Sequence, residues 1–445
     1  MKKYLSIILI ICVFFSCSSL KNNKSKANKN EQISQGSRPA WKEIINPIRK
    51  QNFNNNNTCK ELDQGGNSTM INGYQVFPGC SSGDRQVDPQ IAVGGGFVFH
   101  GTNKGLFIYN KKGDYVSGVS QDCFQGGIDP KLFFDVHNQV FGFDLWKYWD
   151  KEKIKPVNIS ISETADPRGA WNTYAIPSPK EGDGGGIACS KKWIGYSFDD
   201  SETFVLKMPD AKAGRPATVY HFSFSAGNPV MVQDNIDDLY FLDIDSVNII
   251  INRITEDKDG TPIFVKVARE PHHLQYVDQP PASPQKGTSQ RIASGDRNPK
   301  NVVLQNGYIW FSQTVNYKGR AAVQWHQVKM NGQFVQTGLI SSPASSYIQT
   351  TMAVNKNNDV IIGFQETSEN IYISPRFAYR KATDTLRKVR RIISLGEGKG
   401  FTDGESWGDY SGSVIDGDNL TDLWTVQSIT TEKGKGHVLI AKVPF

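Results

Sequence analysis

From about residue 85 to the C-terminus, short apolar runs alternate with polar loops marked by glycine and proline, and within each run the rhythm is that of strands. Each unit opens with a loop rich in Asp, Gly or Pro and enters an apolar inner strand. It then turns into an aromatic second strand, followed by one or two alternating ones. The first unit reads Asp88-Pro89-Gln90-Ile91-Ala92-Val93, then Phe97 to His100, then Gly105 to Tyr109. The second opens with Asp129-Pro130-Lys131-Leu132-Phe133-Phe134, and the third with Asp183-Gly184-Gly185-Gly186-Ile187-Ala188. Later units open near Pro229-Val230-Met231-Val232, Asn298-Pro299-Lys300-Asn301-Val302-Val303, Gln349 to Val354 and Trp407 to Val414. A proline-rich stretch at 270–288 reads as a long loop, because the pattern resumes after it.

About seven such units of three or four strands predict an all-β chain folded as a seven-bladed β-propeller, with six blades and one irregular insertion as the alternative. One small twisted sheet cannot cover both of its faces, whereas radial stacking hides each against its neighbours. Asn72 to Phe77 is placed to close the ring by adding to the seventh unit. Residues 59–445 are thus expected to form one domain.

Before that domain the composition changes. Lys2-Lys3, the apolar stretch Leu5 to Phe15 and the small residues around Cys17 resemble a bacterial lipoprotein signal, and the apolar core is short for a membrane span. The resemblance implies that residues 1–17 are a signal segment, that Cys17 carries the lipid, and that the protein resides in the cell envelope, at the outer membrane or cell surface. Residues 18–58 then read as a disordered polar tether, with a short helix where Trp41, Ile44, Ile45 and Ile48 fall at helical spacing. Cys59, Cys80, Cys123 and Cys189 are an even set for an oxidising compartment. Proximity favours Cys59 with Cys80, and Cys123 with Cys189. Net charge is +6, but the basic residues are dispersed, and no basic face points to nucleic acid. The protein is expected to be a monomer.

The elements Asp88 to Val93, Asp129-Pro130-Lys131, Ala165 to Trp171, Gly319 to Val323 and Trp407-Gly408-Asp409-Tyr410-Ser411-Gly412 resemble those of secreted bacterial propeller proteins loosely labelled sialidase-like. That resemblance implies the fold and no particular reaction. A sialidase Asp-box, Ser-x-Asp-x-Gly-x-Thr-Trp, is absent, as is a clear set of three arginines to clamp a carboxylate.

In a propeller the loops leading into the inner strands converge on one face, so the unit openings are the expected pocket lining. This gathers Arg85, Asp88, Asp183, Asp234, Arg297, Tyr347, Trp407 and Tyr410 as candidate ligand-binding residues, with Asp409, Asp129 and Glu405 as candidate catalytic carboxylates. The competing reading for each Asp is a turn cap. A lyase would instead use a His/Tyr/Arg set, here His100, His137, Tyr220, His221 and Arg297. No metal site is expected from the cysteines or from His272-His273, and no cofactor is required. Calcium in the turn Asp416 to Asp422, or more weakly at Asp257 to Gly260, is the one alternative. The chain reads as an exported, lipid-anchored propeller that binds a polymer, a glycan above all, in its central pocket. The alternative is a glycoside hydrolase or polysaccharide lyase.

Overall fold

The computed structural model describes residues 36–50, 68–81, 86–146, 155–178, 185–198 and 201–445. Alternating apolar residues drive the chain into antiparallel meanders of four strands. The first comprises Gln90–Gly94, Phe97–Thr102, Gly105–Asn110 and Tyr115–Val119. The second runs through Ile128–Asp135, Val140–Trp146, Lys155–Ser162 and Trp171–Ser178. The third comprises Gly186–Cys189, Trp193–Ser197, Thr203–Lys207 and Ala217–Phe222.

Two further meanders, Asn228–Val232 to Pro262–Pro271 and Lys300–Gln305 to Phe334–Ile340, join as one eight-stranded sheet. They join because their inner strands pair in parallel, Met231 opposite Val303 and Val232 opposite Leu304. The next runs from Ser346–Val354 to Ile392–Ser394. The last consists of Gly412–Ile415, Leu423–Thr430 and Gly436–Val443, completed by Tyr74–Gly79, with Thr69–Ile71 beyond it. The inner strands neighbour one another in chain order, and Gly412–Ile415 packs back on Gln90–Gly94. The result is a closed ring of small radial sheets around a channel, a β-propeller.

Closure uses the N-terminal strand anticipated from Asn72 to Phe77, since Tyr74–Gly79 pairs antiparallel with Gly436–Val443 from Gln75 opposite Lys442 to Gly79 opposite Val438. Aromatics from second strands fill the spaces between sheets. Phe99, Phe141 and Phe143 form one such cluster with Phe124 from the turn after the first meander and Trp171 from a fourth strand, the Phe99 and Trp171 centroids 5.5 Å apart. Such pairs add directional contacts to the area they bury.

The expected helix around Trp41 to Ile48 is instead two strands. Trp41–Ile45 adds to the outer edge of Ala217–Phe222, and Ile48–Lys50 to Trp171–Ser178. Pro47 interrupts any helix there, and the sheet edges offer unpaired backbone groups that a strand satisfies. Trp41 and Ile45 face inward on the strand, Trp41 stacked on His221 at 4.6 Å, whereas Ile44 and Ile48 are exposed. Residues 36–50 therefore belong to the folded body. The signal segment, Cys17 and most of the tether lie outside the described residues.

The expected Cys123–Cys189 pair is not formed: both thiols are free, Cys123 half-buried after the first meander and Cys189 buried on the third inner strand. Cys80 is disulfide-bonded, and Cys59 lies outside the described residues.

Candidate functional site at the channel mouth

Four unit openings carry the same dipeptide type: Asp88-Pro89, Asp129-Pro130, Asn228-Pro229 and Asn298-Pro299. Asp88 and Asp129 sit at φ 46° and 55°, in the left-handed region that Asp tolerates better than most residues. Proline then fixes the direction in which the inner strand starts. In three of the four openings the residue after the proline, Gln90, Lys131 or Lys300, lines the channel. The fourth has Val230, which is buried in the core.

Inside the ring is a cavity of about 140 Å³ with apolar walls that include Val93, Phe133, Phe134, Ile187 and Val302. Its polar groups include Gln90, Lys131, Lys300, Tyr410 and Ser411, all at the unit openings. The Lys131 ammonium lies 2.8 Å from the centroid of the Tyr410 ring, and that of Lys300 lies 5.4 Å from it. Lys300 is also 3.3 Å from Asp296. Burial brings the Lys131 amine down to about 8; the like charge of Lys300 adds to this, while Asp129, Asp144 and Asp88 oppose it. Asp144 accepts the Lys131 backbone N–H at 2.7 Å, and burial raises its carboxyl to about 7 against the pull of Lys131.

Asp88 ties the ring's first opening to its last. One carboxylate oxygen accepts the backbone N–H of Asp409 at 2.5 Å and of Tyr410 at 3.3 Å, and the other accepts Asn103 Nδ2 at 2.7 Å. Asn103 Oδ1 in turn accepts the Asp129 N–H at 2.9 Å. Burial first, then the nearby Asp409 and Asp129 carboxylates, raise Asp88 to about 7. Gly408 is obligatory in this contact. Its φ is 111°, and a Cβ there would lie 2.6 Å from Asp88 Oδ1. Gln349 Nε2 donates to the Gly408 carbonyl and holds the loop from the other side.

The structure thus brings together Asp88, Asp129, Asp409 and Tyr410 from the expected set. Asp409 is exposed and Asp129 half-buried at this mouth. Others are placed elsewhere. Trp407 is fully buried with Ile292, Ala321, Ile348 and Ile373, and does not line the cavity. Tyr347 packs on Phe364 at 4.9 Å. Glu405 is exposed on the loop before Trp407.

Arg297 donates to the Val277 carbonyl at 2.9 Å and does not line the cavity. Asp234 follows the end of its inner strand, on the far face, where it caps the Asn306 and Gly307 amides at 2.6 and 2.8 Å. Arg85 and Asp183 lie outside the described residues. Lys131, Lys300 and Asp144 were missed by sequence reasoning. The signal for both lysines was present in the repeated Pro-Lys step after an Asp or Asn.

The His/Tyr/Arg set does not convene on the channel cavity. His100 is buried with its ring nitrogens 2.9 and 3.0 Å from the Gln90 and Cys80 carbonyls, and burial lowers its pKa to about 4. Tyr220 and His221 lie on an outer strand, His221 3.2 Å from Glu202. His137 sits in a turn on the far face. In the turn suggested for calcium, the Lys111 ammonium stands between Asp416 and Asp418, 2.5 Å from each. It occupies the place a cation would take. At the other turn, Asp257 is committed to Arg38 at 2.5 Å and to the Asp259 and Thr261 amides. Among the described residues no group of three or more His, Cys, Asp or Glu is arranged to hold a metal ion.

No family model matches the chain, and no curated protein matches it. Solved structures similar to it include a protein of unknown function from Dyadobacter fermentans, at 9% identity, covering 92% of this chain and 99% of that one, with a TM-score of 0.38. A neuraminidase-like protein of A/little yellow-shouldered bat/Guatemala is 8% identical over 85% of this chain and 99% of that one, TM-score 0.38. The WD40 domain of SCAP from fission yeast is 11% identical over 94% and 96%, TM-score 0.36. Those scores are too low to carry a functional argument, and the propeller stands on its own sheet topology.

Proposed function

We propose that this protein is an exported, lipid-anchored propeller that binds a glycan by an acidic end residue in the mouth of its central channel. The observation that carries this reading is the pair Lys131 and Lys300 at Tyr410, heading a cavity of about 140 Å³. An apolar cavity of roughly 150 Å³ takes one benzene ring, so the space suits a single sugar ring and not a threaded polymer. Two ammonium groups at its head favour a carboxylate, and Gln90 and Ser411 supply polar groups for ring hydroxyls. With Trp407 buried, the broad stacking platform expected for a polymer's length is not offered by that residue, which again favours an end.

In this reading the eight-stranded sheet counts as two blades, so that the sheets among the described residues make a seven-bladed ring. The disulfide at Cys80, paired in this reading with Cys59, agrees with an oxidising compartment. The protein acts as a monomer held by the lipid on Cys17.

The test is calorimetric titration of the full chain in detergent with oligosaccharides ending in a uronic acid and with their neutral counterparts. Lys131→Met and Lys300→Met should each weaken the acidic ligand by about 10- to 100-fold, the worth of a charge-assisted hydrogen bond. Equal affinity for acidic and neutral ends, or no loss in either variant, overturns the reading. Product analysis of the same mixtures tests the hydrolase alternative, in which Asp129 and Asp409 act on the bond.

A further inference from the structure

The channel has a second opening, at the far ends of the inner strands, and we propose that it holds a separate binding site for a small neutral polyhydroxyl ligand, a monosaccharide or similar polyol. A cavity of about 220 Å³ lies there, lined by His137, Gln139, Gln233, Gln305, Lys356 and Leu420 among others. Gln233 and Ile415 also line the upper cavity, so the two adjoin and those side chains form the partition.

Two polar atoms of this lower cavity, His137 Nε2 and Gln233 Oε1, are buried without a hydrogen-bond partner. Buried polar atoms in native proteins are almost always matched, by protein, water or ligand, and two unmatched ones facing one cavity point to a hydrogen-bonding guest there. The two atoms come from different sheets. His137 is in the turn after Ile128–Asp135, and Gln233 directly follows Asn228–Val232, so the ring itself brings them to one space.

The chemistry of the lining selects the ligand. Gln233 Oε1 only accepts, and a histidine Nε2 donates or accepts according to its tautomer. A hydroxyl group does both and so can satisfy either atom. A carboxylate cannot donate to Gln233 Oε1. Of the charged residues on the rim, Lys356 donates through Nζ to the Asn419 carbonyl at 3.3 Å. Asp418 is held by Lys111 at 2.5 Å and by the Gly95 and Gly96 amides at 2.7 and 2.8 Å. The amide and imidazole groups, with the Lys356 ammonium beside them, are hydrogen-bonding partners suited to hydroxyls.

The proposal does not involve Lys131 or Lys300; Gln233 borders both cavities, so His137→Phe, which touches the lower one alone, separates its failure from that of the reading of the upper mouth. Saturation-transfer NMR on the full chain in detergent, with glucose, galactose, mannose and glycerol as probes, tests it. At least one probe should bind; Lys131→Met should leave that binding intact, and Gln233→Leu and His137→Phe should each weaken it by about tenfold or more. A melting temperature close to that of the parent shows that a variant is folded. If Gln233→Leu fails to fold, His137→Phe alone carries the test, because its turn is at the surface of the ring. No transfer from any probe, undiminished binding in the folded variants, or a crystal structure grown with the probe that shows only ordered water on both atoms would overturn it.

Discussion

Two acidic loops of the last meander look alike in sequence and behave in opposite ways. The turn Asp416 to Asp422 spaces its carboxylates as a cation site does, yet a lysine of the first meander fills it. Burial alone would raise Asp418, but Lys111 and the Gly96 and Gly95 amides bring it below the ordinary range. A few residues earlier, the loop Trp407 to Gly412 meets Asp88, which burial first, and then the nearby Asp409 and Asp129 carboxylates, raise to about 7 against the pull of Lys131. The nearest ammonium groups, Lys131 and Lys300, face the cavity. The first acidic loop is fastened by an ammonium set between its carboxylates; the second stands at the mouth of a cavity that Lys131 and Lys300 line.

The sharpest way to break this contrast is at the fastening. Lys111→Met would strand the buried Asp416, whose carboxylate also accepts Trp424 Nε1 at 3.1 Å. The expected loss is about 3 kcal/mol, the low end for a broken buried pair because Lys111 is partly exposed. Denaturant unfolding reads it, and acidic-glycan affinity of the folded fraction should not change. Asp88→Ala comes next. It leaves the Asp409 and Tyr410 amides and Asn103 without their acceptor, for about 2 kcal/mol of stability. It should also lower acidic-ligand affinity, because Tyr410 loses its backbone anchor; affinity equal to the parent's would separate the clamp from the pocket.

A smaller effect follows from Asp144, whose carboxyl is raised in the folded chain from the ordinary 3.8 to about 7. Between those values the folded state binds more protons than the unfolded one. The contribution of this group therefore falls as pH rises through that window, and its full penalty remains above pH 7. Asp144→Asn should gain on the parent as pH rises from about 4 to about 7, a direction that paired melting curves read. His100, lowered to about 4 from 6.5, acts oppositely, costing stability as pH falls through that range. Present in both proteins, it cancels in the difference of their melting curves. Glu405→Ala should be the mildest, within about 0.5 kcal/mol and without effect on binding, since its side chain is exposed outside the cavity lining.

Much of the scaffold was legible. Asp88-Pro89 and Asp129-Pro130 do open inner strands, and the strand after Asn72 does close the ring, because alternation and turn residues are local signals. The N-terminal edge strands were not. Trp41 and Ile45 are four apart, a spacing that places residues on one side of a helix and equally on one face of a strand. The deciding factor, a sheet edge more than a hundred residues distant, leaves no local mark. At the site, the convergence of unit openings was legible, and the facing of individual side chains was not. Trp407 reads as the most conspicuous pocket residue, but it is packed inside with Ile292, Ala321, Ile348 and Ile373. Asp234 reads as part of an opening, although it ends its strand, on the opposite side of the ring. Lys131 and Lys300 sat in plain view after their prolines, and only the closed ring shows that both point inward.

The strands at Trp41–Ile45 and Ile48–Lys50 have a mechanical consequence. The described chain begins beside Phe264, where the Gly36 and Ser37 amides donate to its carbonyl, and then crosses the outer edges of two neighbouring sheets. A pull on the chain before Gly36 therefore loads these edge pairings one after another before it reaches Tyr74–Gly79, the strand that shuts the ring. Force is dissipated in a peripheral lacing that can peel and re-form, while the channel at the centre keeps its shape.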